Sequence, residues 1–338
     1  MILVTGGTGM VGSHLLFQLI QSGEKVRALK RNNSKTDQTL KIFSYYSSDY
    51  TNLFSKIEWL NADLLDYNSL IEALDGVNFV YHTAAMVSFK PSDKQKMMKN
   101  NIFGTANIVN ACIEKNIRKF CYVSSIAALG TNEDQSPITE QTSWVVGNKN
   151  SGYSESKFNA ELEVWRGIEE GLNAVIVNPA VILGSGDWQK GSPHIFETIW
   201  KGLWFYTNGT SGFVDVRDVC SIMIKLMKSE IHSERFLLVS ENYTYRNVFN
   251  QIANKLNKKQ PSIYATPFLA ELAWRMEAIK CKILGKHPLI TKETAKTAYK
   301  LRNYSNDKIK KLEIDFISIS QSISDFGDLF LSDYQKKQ

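Results

Sequence analysis

The stretch Ile2-Leu3-Val4-Thr5-Gly6-Gly7-Thr8-Gly9-Met10-Val11-Gly12 constrains the fold more than any other, because four glycines follow directly on a short apolar run. Ile2 to Thr5 reads as a buried strand. Val11 to Ile20 places Val11, Leu15, Leu16 and Leu19 on one face of a helix. Between the two, Gly7, Gly9 and Gly12 satisfy G-x-G-x-x-G, while Gly6, Gly9 and Gly12 fit a T-G-x-x-G-x-x-G version of the same turn. Missing side chains let the chain bend sharply, let a pyrophosphate approach the backbone, and let the helix pack closely on the sheet. The free N–H groups of the first helical turn then face the anion. The pattern predicts a dinucleotide site here.

Strand and helix patterns alternate after this turn: Lys25 to Leu29; Ile57 to Leu60, then Asp66 to Leu74; Phe79 to His82, then Lys94 to Lys115; Lys119 to Ser124, then Ser154 to Glu169; Ala174 to Asn178. The predicted fold class is α/β, a doubly wound parallel sheet of Rossmann type whose ligand crevice lies beyond the carboxyl ends of its strands. Residues 32–56 read as a loop with a helical insertion. Past residue 184 the turn-rich GSGDWQKGSP leaves the sheet, and helical patterns dominate from Pro267 onward. These shifts predict a dinucleotide domain over residues 1–180, rejoined by strands from about 212–240, and a smaller, mainly helical substrate lobe over 181–338.

Composition narrows the class further. The 338 residues contain no apolar run near the roughly 18 that a membrane span needs. No leader pattern precedes Ile2, so a cytoplasmic protein without an integral membrane segment is expected. Cys112, Cys121, Cys220 and Cys281 lie far apart without metal-ligand spacing; they read as buried small hydrophobes, and no metal is expected. Residues 1–250 hold 24 basic and 25 acidic side chains, residues 251–338 hold 16 and 9, so the excess charge sits at the C-terminal end. That bias suits an anionic substrate or a membrane surface, or simply solvated helix faces; nothing else supports nucleic acid as a partner.

Two positions refine the cofactor. The strand Lys25 to Leu29 runs into Lys30-Arg31, where a site preferring NAD would offer a carboxylate to the ribose 2′-hydroxyl. Two cations suit a 2′-phosphate instead, which predicts NADP ahead of NAD.

Tyr153 and Lys157 stand four apart on a predicted helix and so share a face. The spacing alone is weak, since Tyr304 and Lys308 repeat it, but only the first pair lies between a strand ending in Ser124-Ser125 and the strand Ala174 to Asn178. Hydride delivered to a carbonyl carbon leaves an alkoxide that needs a proton. Bringing a phenol from near 10 to neutrality requires about 4 kcal/mol of differential stabilisation, the task of an adjacent ammonium and a cationic nicotinamide. A serine hydroxyl, from Ser124 or Ser125, would hold the substrate oxygen.

Taken in order, these motifs resemble the extended short-chain dehydrogenases/reductases of the epimerase/dehydratase superfamily through most of the chain. TGGTGMVG resembles the family's cofactor turn, which implies contacts from Gly6, Thr8, Gly9, Met10, Val11 and Gly12. Asp63 in NADLLD resembles the acid that meets adenine, with Leu64 beside it. HTAA resembles the fourth-strand motif and implies Thr83, Ala84 and Ala85; Asn101 in NNIFGTANIV resembles the family's helix asparagine. In YVSSIAALG the family's catalytic serine stands five residues before the glycine, which selects Ser125 by counting back from Gly130. YSESK carries Tyr153 and Lys157, catalytic and cofactor-binding together, and Pro179 and Val181 complete the implied cofactor set.

The resemblance also bears on the branch. Ile126-Ala127 after Ser125 replace the Asp-Glu pair usual in sugar-nucleotide dehydratases, and Asn178 stands where nucleotide-sugar epimerases often have Arg before the proline. Asn178-Pro179 looks more like the dihydroflavonol reductase, cinnamoyl reductase and hydroxysteroid dehydrogenase branch. The implied activity is carbonyl reduction or alcohol oxidation on a small organic substrate. A nucleotide-sugar epimerase and a cofactor-sensing protein without turnover are the alternatives, and a homodimer through the helices of Asn101 and Tyr153 is the implied assembly.

Overall fold

The computed structural model describes residues 1–335 apart from 133, 135, 148, 149, 272, 273, 276–294 and 296. Cys281 and most of the helical pattern that follows Pro267 lie outside the described residues. In the first half of the chain strands alternate with single helices or pairs of helices. It runs β1 (Ile2–Thr5), α1 (Met10–Gln21), β2 (Val26–Lys30), α2 (Asp37–Tyr46), α3 (Tyr50–Ser55), β3 (Glu58–Asn61), α4 (Tyr67–Ala73) and β4 (Phe79–His82), then α5 (Lys94–Met98), α6 (Gly104–Glu114), β5 (Lys119–Val123), α7 (Gly152–Glu169) and β6 (Ala174–Pro179). The second half contains β7 (Val181–Leu183), α8 (His194–Trp200), β8 (Phe205–Tyr206), β9 (Thr210–Asp215), α9 (Val216–Lys228), β10 (Glu234–Leu238), β11 (Glu241–Thr244), α10 (Tyr245–Lys255), β12 (Ile263–Tyr264), α11 (Asp307–Lys310) and α12 (Ile319–Gln335).

Seven strands form one parallel sheet in the order β3-β2-β1-β4-β5-β6-β10. The order reverses at β1, so the crevice between β1 and β4 is the ligand position of a doubly wound sheet. Strand periodicity sorts the core onto both faces: Ile2 and Val4 pack with Leu15, Leu16 and Phe43, while Leu3 points the other way toward Val80, Ile108 and Val164. The central strands β5 and β6 are buried throughout, as strands covered by helices on both sides must be.

The segment after β6 departs from expectation in one respect. Of the two later strands expected to return to the main sheet, only β10 does so, pairing in parallel with β6. Pro179 closes β6 and the chain diverges as β7; β9 follows β7 in parallel and takes β11 on its other side, forming a separate three-stranded sheet. A two-stranded pair, β8 with β12, completes the strands described beyond residue 180, so the described part of this region mixes helices with small sheets.

The expected helix over Lys94 to Lys115 is continuous but not uniform. Lys99–Phe103 forms a wide π-type turn between α5 and α6, and Asn101 sits in it. Such turns store a local irregularity inside a helix and occur often where a side chain must be aimed.

Residues 32–56, read only as a loop with a helical insertion, supply a structural clamp. Asp333 on α12 accepts hydrogen bonds from Tyr45 Oη (2.5 Å) and Trp188 Nε1 (2.7 Å), and pairs with Lys41 Nζ (2.5 Å), although it is only 5% exposed. Burial alone would raise its carboxyl, but these three partners hold it below the ordinary carboxylate value. Replacing Asp333 with Ala removes the acceptor of a half-buried phenol and a buried indole together. Asp333→Ala is expected to cost about 3 kcal/mol of stability, read as a lowered urea midpoint at constant slope.

Candidate active site

The opening turn is held by contacts that only glycine permits. Gly6 adopts φ +69°, and a Cβ there would lie 2.7 Å from the Ala84 backbone; a Cβ on Gly12 would lie 2.2 Å from the Gly6 carbonyl oxygen. Gly9 begins α1 with no side-chain cap, leaving the first-turn N–H groups of Met10, Val11 and Gly12 directed out of the helix end. The Gly7 carbonyl is turned away and fastened by Ser13 Oγ (3.0 Å) and by Thr39 Oγ1 (3.2 Å) of α2. The arrangement fits a pyrophosphate: a cradle that side chains would fill, lined by uncapped donors. Ser13 and Thr39 were not singled out from the sequence, and nothing in the spacing marks Thr39, whose contribution depends on how α2 folds back.

Neighbouring strand ends lock the turn. Thr83 Oγ1 donates to the Thr5 carbonyl at 2.7 Å, and the Ala84 N–H reaches Thr5 Oγ1 at 3.3 Å. His82, fully buried, bonds Thr5 Oγ1 through Nδ1 (2.6 Å) and Thr105 Oγ1 through Nε2 (3.1 Å). Burial lowers its pKa to about 3, with the Lys157 charge acting in the same direction, so it stays neutral. Ala85 follows at the surface.

The other expected cofactor residues lie around the same edge. Lys30 ends β2 and Arg31 follows, exposed; neither side chain makes a hydrogen bond or ion pair with the described residues. Asp63 is exposed just past β3, its Oδ1 accepting from Leu65 N at 2.9 Å, and the Leu64 carbonyl is held by Asn107 Nδ2 at 2.8 Å. Asn101 is buried and brackets Met86, accepting from its N–H at 2.7 Å and donating to its carbonyl at 2.9 Å, with a further bond to Ser156 Oγ at 3.0 Å. Its place is therefore under the loop after β4, tying that loop to α7. Pro179 ends β6 and Val181 opens β7.

Ser125, Tyr153 and Lys157 come together beyond β5. Ser125 is extended (φ −166°, ψ 154°) and its Oγ accepts from Ala127 N at 3.1 Å, which caps the short turn Ile126–Ala128. Tyr153 lies in the first turn of α7, whose start is capped by Ser151 Oγ accepting from Ser154 N (3.0 Å), and Phe89 meets its ring edge-on at 5.7 Å. The Ser125 hydroxyl lies near enough to the Tyr153 phenol to oppose the rise in its pKa. Ser124, the rival candidate, is turned into the core, donating to Glu161 Oε2 at 2.5 Å. Tyr304, the chance match, is buried with its N–H on Asn242, and Lys308 pairs with Glu234.

The protein's own groups do not by themselves supply the expected lowering of the phenol. Tyr153 is not brought below its ordinary value: burial raises it, and the Ser125 hydroxyl only partly opposes this. Lys157 does not bond the phenol; its Nζ donates to Tyr122 Oη (2.8 Å) and to the Val123 carbonyl (2.9 Å) and lies 4.5 Å from the Tyr122 ring centre. Burial also pulls the ammonium down to about 7, against the charge of Glu161, which raises it. Desolvation thus outweighs the pairwise attraction between the two groups.

A parallel sheet with a glycine cradle at its switch point and a Ser-Tyr-Lys cluster at its carboxyl edge defines a nicotinamide-dependent oxidoreductase of the short-chain type. Residues 2–238 match the NAD dependent epimerase/dehydratase family, and the chain belongs to it. Two curated relatives extend the match: a putative dihydroflavonol 4-reductase of Synechocystis sp., 28% identical with 95% of this chain and 92% of the relative covered, and cinnamoyl-CoA reductase 1 of Petunia hybrida, 26% identical with 95% and 89% covered. Among solved structures, gox2253 superposes with a TM-score of 0.78 at 30% identity, covering 96% of each chain. These relatives place the chain in the dihydroflavonol reductase-like branch of the extended short-chain enzymes, as an NAD(P)-dependent oxidoreductase. Among the described residues no helix is long and apolar enough to cross a membrane, and no group of three or more His, Cys, Asp or Glu side chains is placed to hold a metal.

The packing at Gly12 gives a test. Gly12→Ala must push the Gly6 carbonyl out of the turn, and it is expected to weaken dinucleotide binding at least about tenfold by calorimetry while the far-ultraviolet spectrum keeps its α/β form.

Proposed function

We propose that this protein is an NADP(H)-dependent reductase of small carbonyl compounds with an apolar or aromatic body, acting reversibly on the matching alcohols. The observation that carries the reading is the convergence of Ser125, Tyr153 and Lys157 at the strand edge beside the glycine cradle. Residues 6–12 would hold the pyrophosphate and Lys157 the nicotinamide ribose. The bound dinucleotide supplies or accepts the hydride.

The chain's own residues do the rest. Ser125 Oγ, set by its turn, donates a hydrogen bond to the substrate oxygen. Tyr153 passes its phenolic proton to that oxygen as negative charge develops there, and a phenol kept protonated by burial is the right starting state for reduction. Lys157, as an ammonium, stabilises the phenolate left behind. Phe89 on the Tyr153 ring edge, with exposed Val87 on the same loop, presents an apolar wall to the rest of the substrate. Two curated relatives are named for dihydroflavonol and cinnamoyl-CoA, each of which carries an aromatic group, in keeping with that wall.

Against an epimerase stands Asn178. It is fully buried, and its amide is spent on Glu161 Oε2 (2.8 Å) and the Ser125 carbonyl (3.1 Å), which leaves it no donor for a substrate diphosphate. The complete Ser-Tyr-Lys set weighs against a protein that only senses the cofactor.

Tyr153→Phe is expected to lower kcat by about 10²- to 10⁴-fold on whichever member of a panel of aryl and alkyl ketones and aldehydes is turned over, with NADPH affinity within about twofold of the parent. Unchanged turnover would remove the proposed acid. For the cofactor, unpaired Lys30 and Arg31 at the tip of β2 support NADP, and kcat/KM is expected to favour NADPH over NADH by about tenfold or more, a preference lost in the Lys30→Ala, Arg31→Ala double variant.

A further inference from the structure

Directly behind the Ser-Tyr-Lys cluster lies a buried ionic network that neither the motif reading nor the proposed chemistry uses. Its centre is Glu161, 2% exposed, one turn beyond Lys157 on the same face of α7. Both carboxylate oxygens are saturated. Oε2 accepts from Ser124 Oγ at 2.5 Å and Asn178 Nδ2 at 2.8 Å; Oε1 accepts from Arg235 Nη1 at 3.0 Å and Trp165 Nε1 at 3.3 Å. Four donors on one carboxyl group fill its acceptor sites.

Three elements converge on it: α7, the end of β6 through Asn178, and β10 through Arg235. Arg235 is in turn held by the Glu140 carbonyl, and the Glu140 side chain accepts from Leu237 N at 2.9 Å. Asn178 is the branch point, because the same Nδ2 that meets Glu161 also donates to the Ser125 carbonyl at 3.1 Å. Both partners are acceptors, which settles which end of the amide faces them.

An ion pair with one buried and one partly buried partner is a poor way to gain stability. Desolvating two charges costs about as much as their attraction returns, and apolar side chains of similar volume do as well or better. The placement needs another reason, and the groups around Lys157 give one. His82 on β4 is neutral, Tyr122 on β5 is held protonated by burial and by Glu161, and Tyr153 is protonated as well, so Glu161 supplies the anion that favours a charged Lys157 in this core.

We propose that Glu161 is a positioning residue: its saturated carboxylate places a negative charge one helical turn behind Lys157 and, through Asn178, fixes the backbone from which Ser125 projects. Arg235 offsets that charge from the far side. The inference rests on the proposed roles of Ser125, Tyr153 and Lys157. It adds one that the Tyr-x-x-x-Lys motif does not contain.

The test uses the full chain with isotopically labelled lysine, the Lys157 resonance assigned by its loss in Lys157→Met. In the parent protein that signal is expected to titrate near neutrality. In Glu161→Gln, which keeps the shape but removes the charge and one of the two acceptor oxygens, the midpoint is expected to fall by about one pH unit, and the alkaline limb of the reductase rate to move down with it. Asn178→Ala keeps the charge and cuts the link to Ser125; kcat is expected to fall about tenfold while the Lys157 midpoint does not fall and KM for the dinucleotide holds. A Lys157 midpoint unmoved in Glu161→Gln, or Asn178→Ala turning over like the parent, overturns the proposal. If Glu161→Gln does not fold, the Asn178→Ala arm decides. An active Tyr153→Phe would sink the catalytic reading instead, and the lysine titration, which needs neither cofactor nor substrate, would still report on Glu161.

Discussion

The approach of the Gly6 carbonyl to the first turn of α1 is the constraint on which the nucleotide end depends. Gly9 N–H bonds that carbonyl at 2.9 Å, and the backbone at Gly12 sits so near it that no side chain fits between. The helix end is thereby drawn onto the strand end, its uncapped donors aimed outward over the sheet. The loop after β4 is bound to the same turn through Thr5, Thr83 and Ala84, so the cradle is rigid on two sides before any ligand arrives.

A second constraint, desolvation, governs the catalytic edge. Tyr153, Lys157 and His82 are all pushed toward their neutral forms by burial. Neutral suits a phenol that must donate and an imidazole that only ties strands together. It does not suit the lysine, and Glu161 is the group that opposes it. The ionic network at the β6–β10 edge thus offsets part of the energetic penalty of placing a cation in an apolar core.

Much of this was legible in the sequence, because the informative features are local. The glycine turn needs a strand, a bend and a helix in succession, and the β–α alternation fixes a doubly wound sheet. Tyr153 and Lys157 share a helix face at a spacing that a reader can count. Features that depend on where distant segments meet were not legible. Glu161 extends the same face by one more turn, a countable signal, but its meaning comes from Arg235 and Asn178, which only the sheet order brings to it. The fate of β9 turned on where the chain leaves Pro179, and the electrostatic balance at Tyr153 turned on burial, which spacing does not report.

The clamp at Asp333 has a consequence for the order in which the molecule is made. Tyr45 and its acceptor are 288 residues apart in sequence. During synthesis the glycine cradle and the first strands leave the ribosome long before α12 does, and until it arrives Tyr45 and Trp188 lack the acceptor that satisfies them. The nascent nucleotide-binding half therefore waits with an unfinished flank, and the docking of the last long helix completes an element laid down at the start.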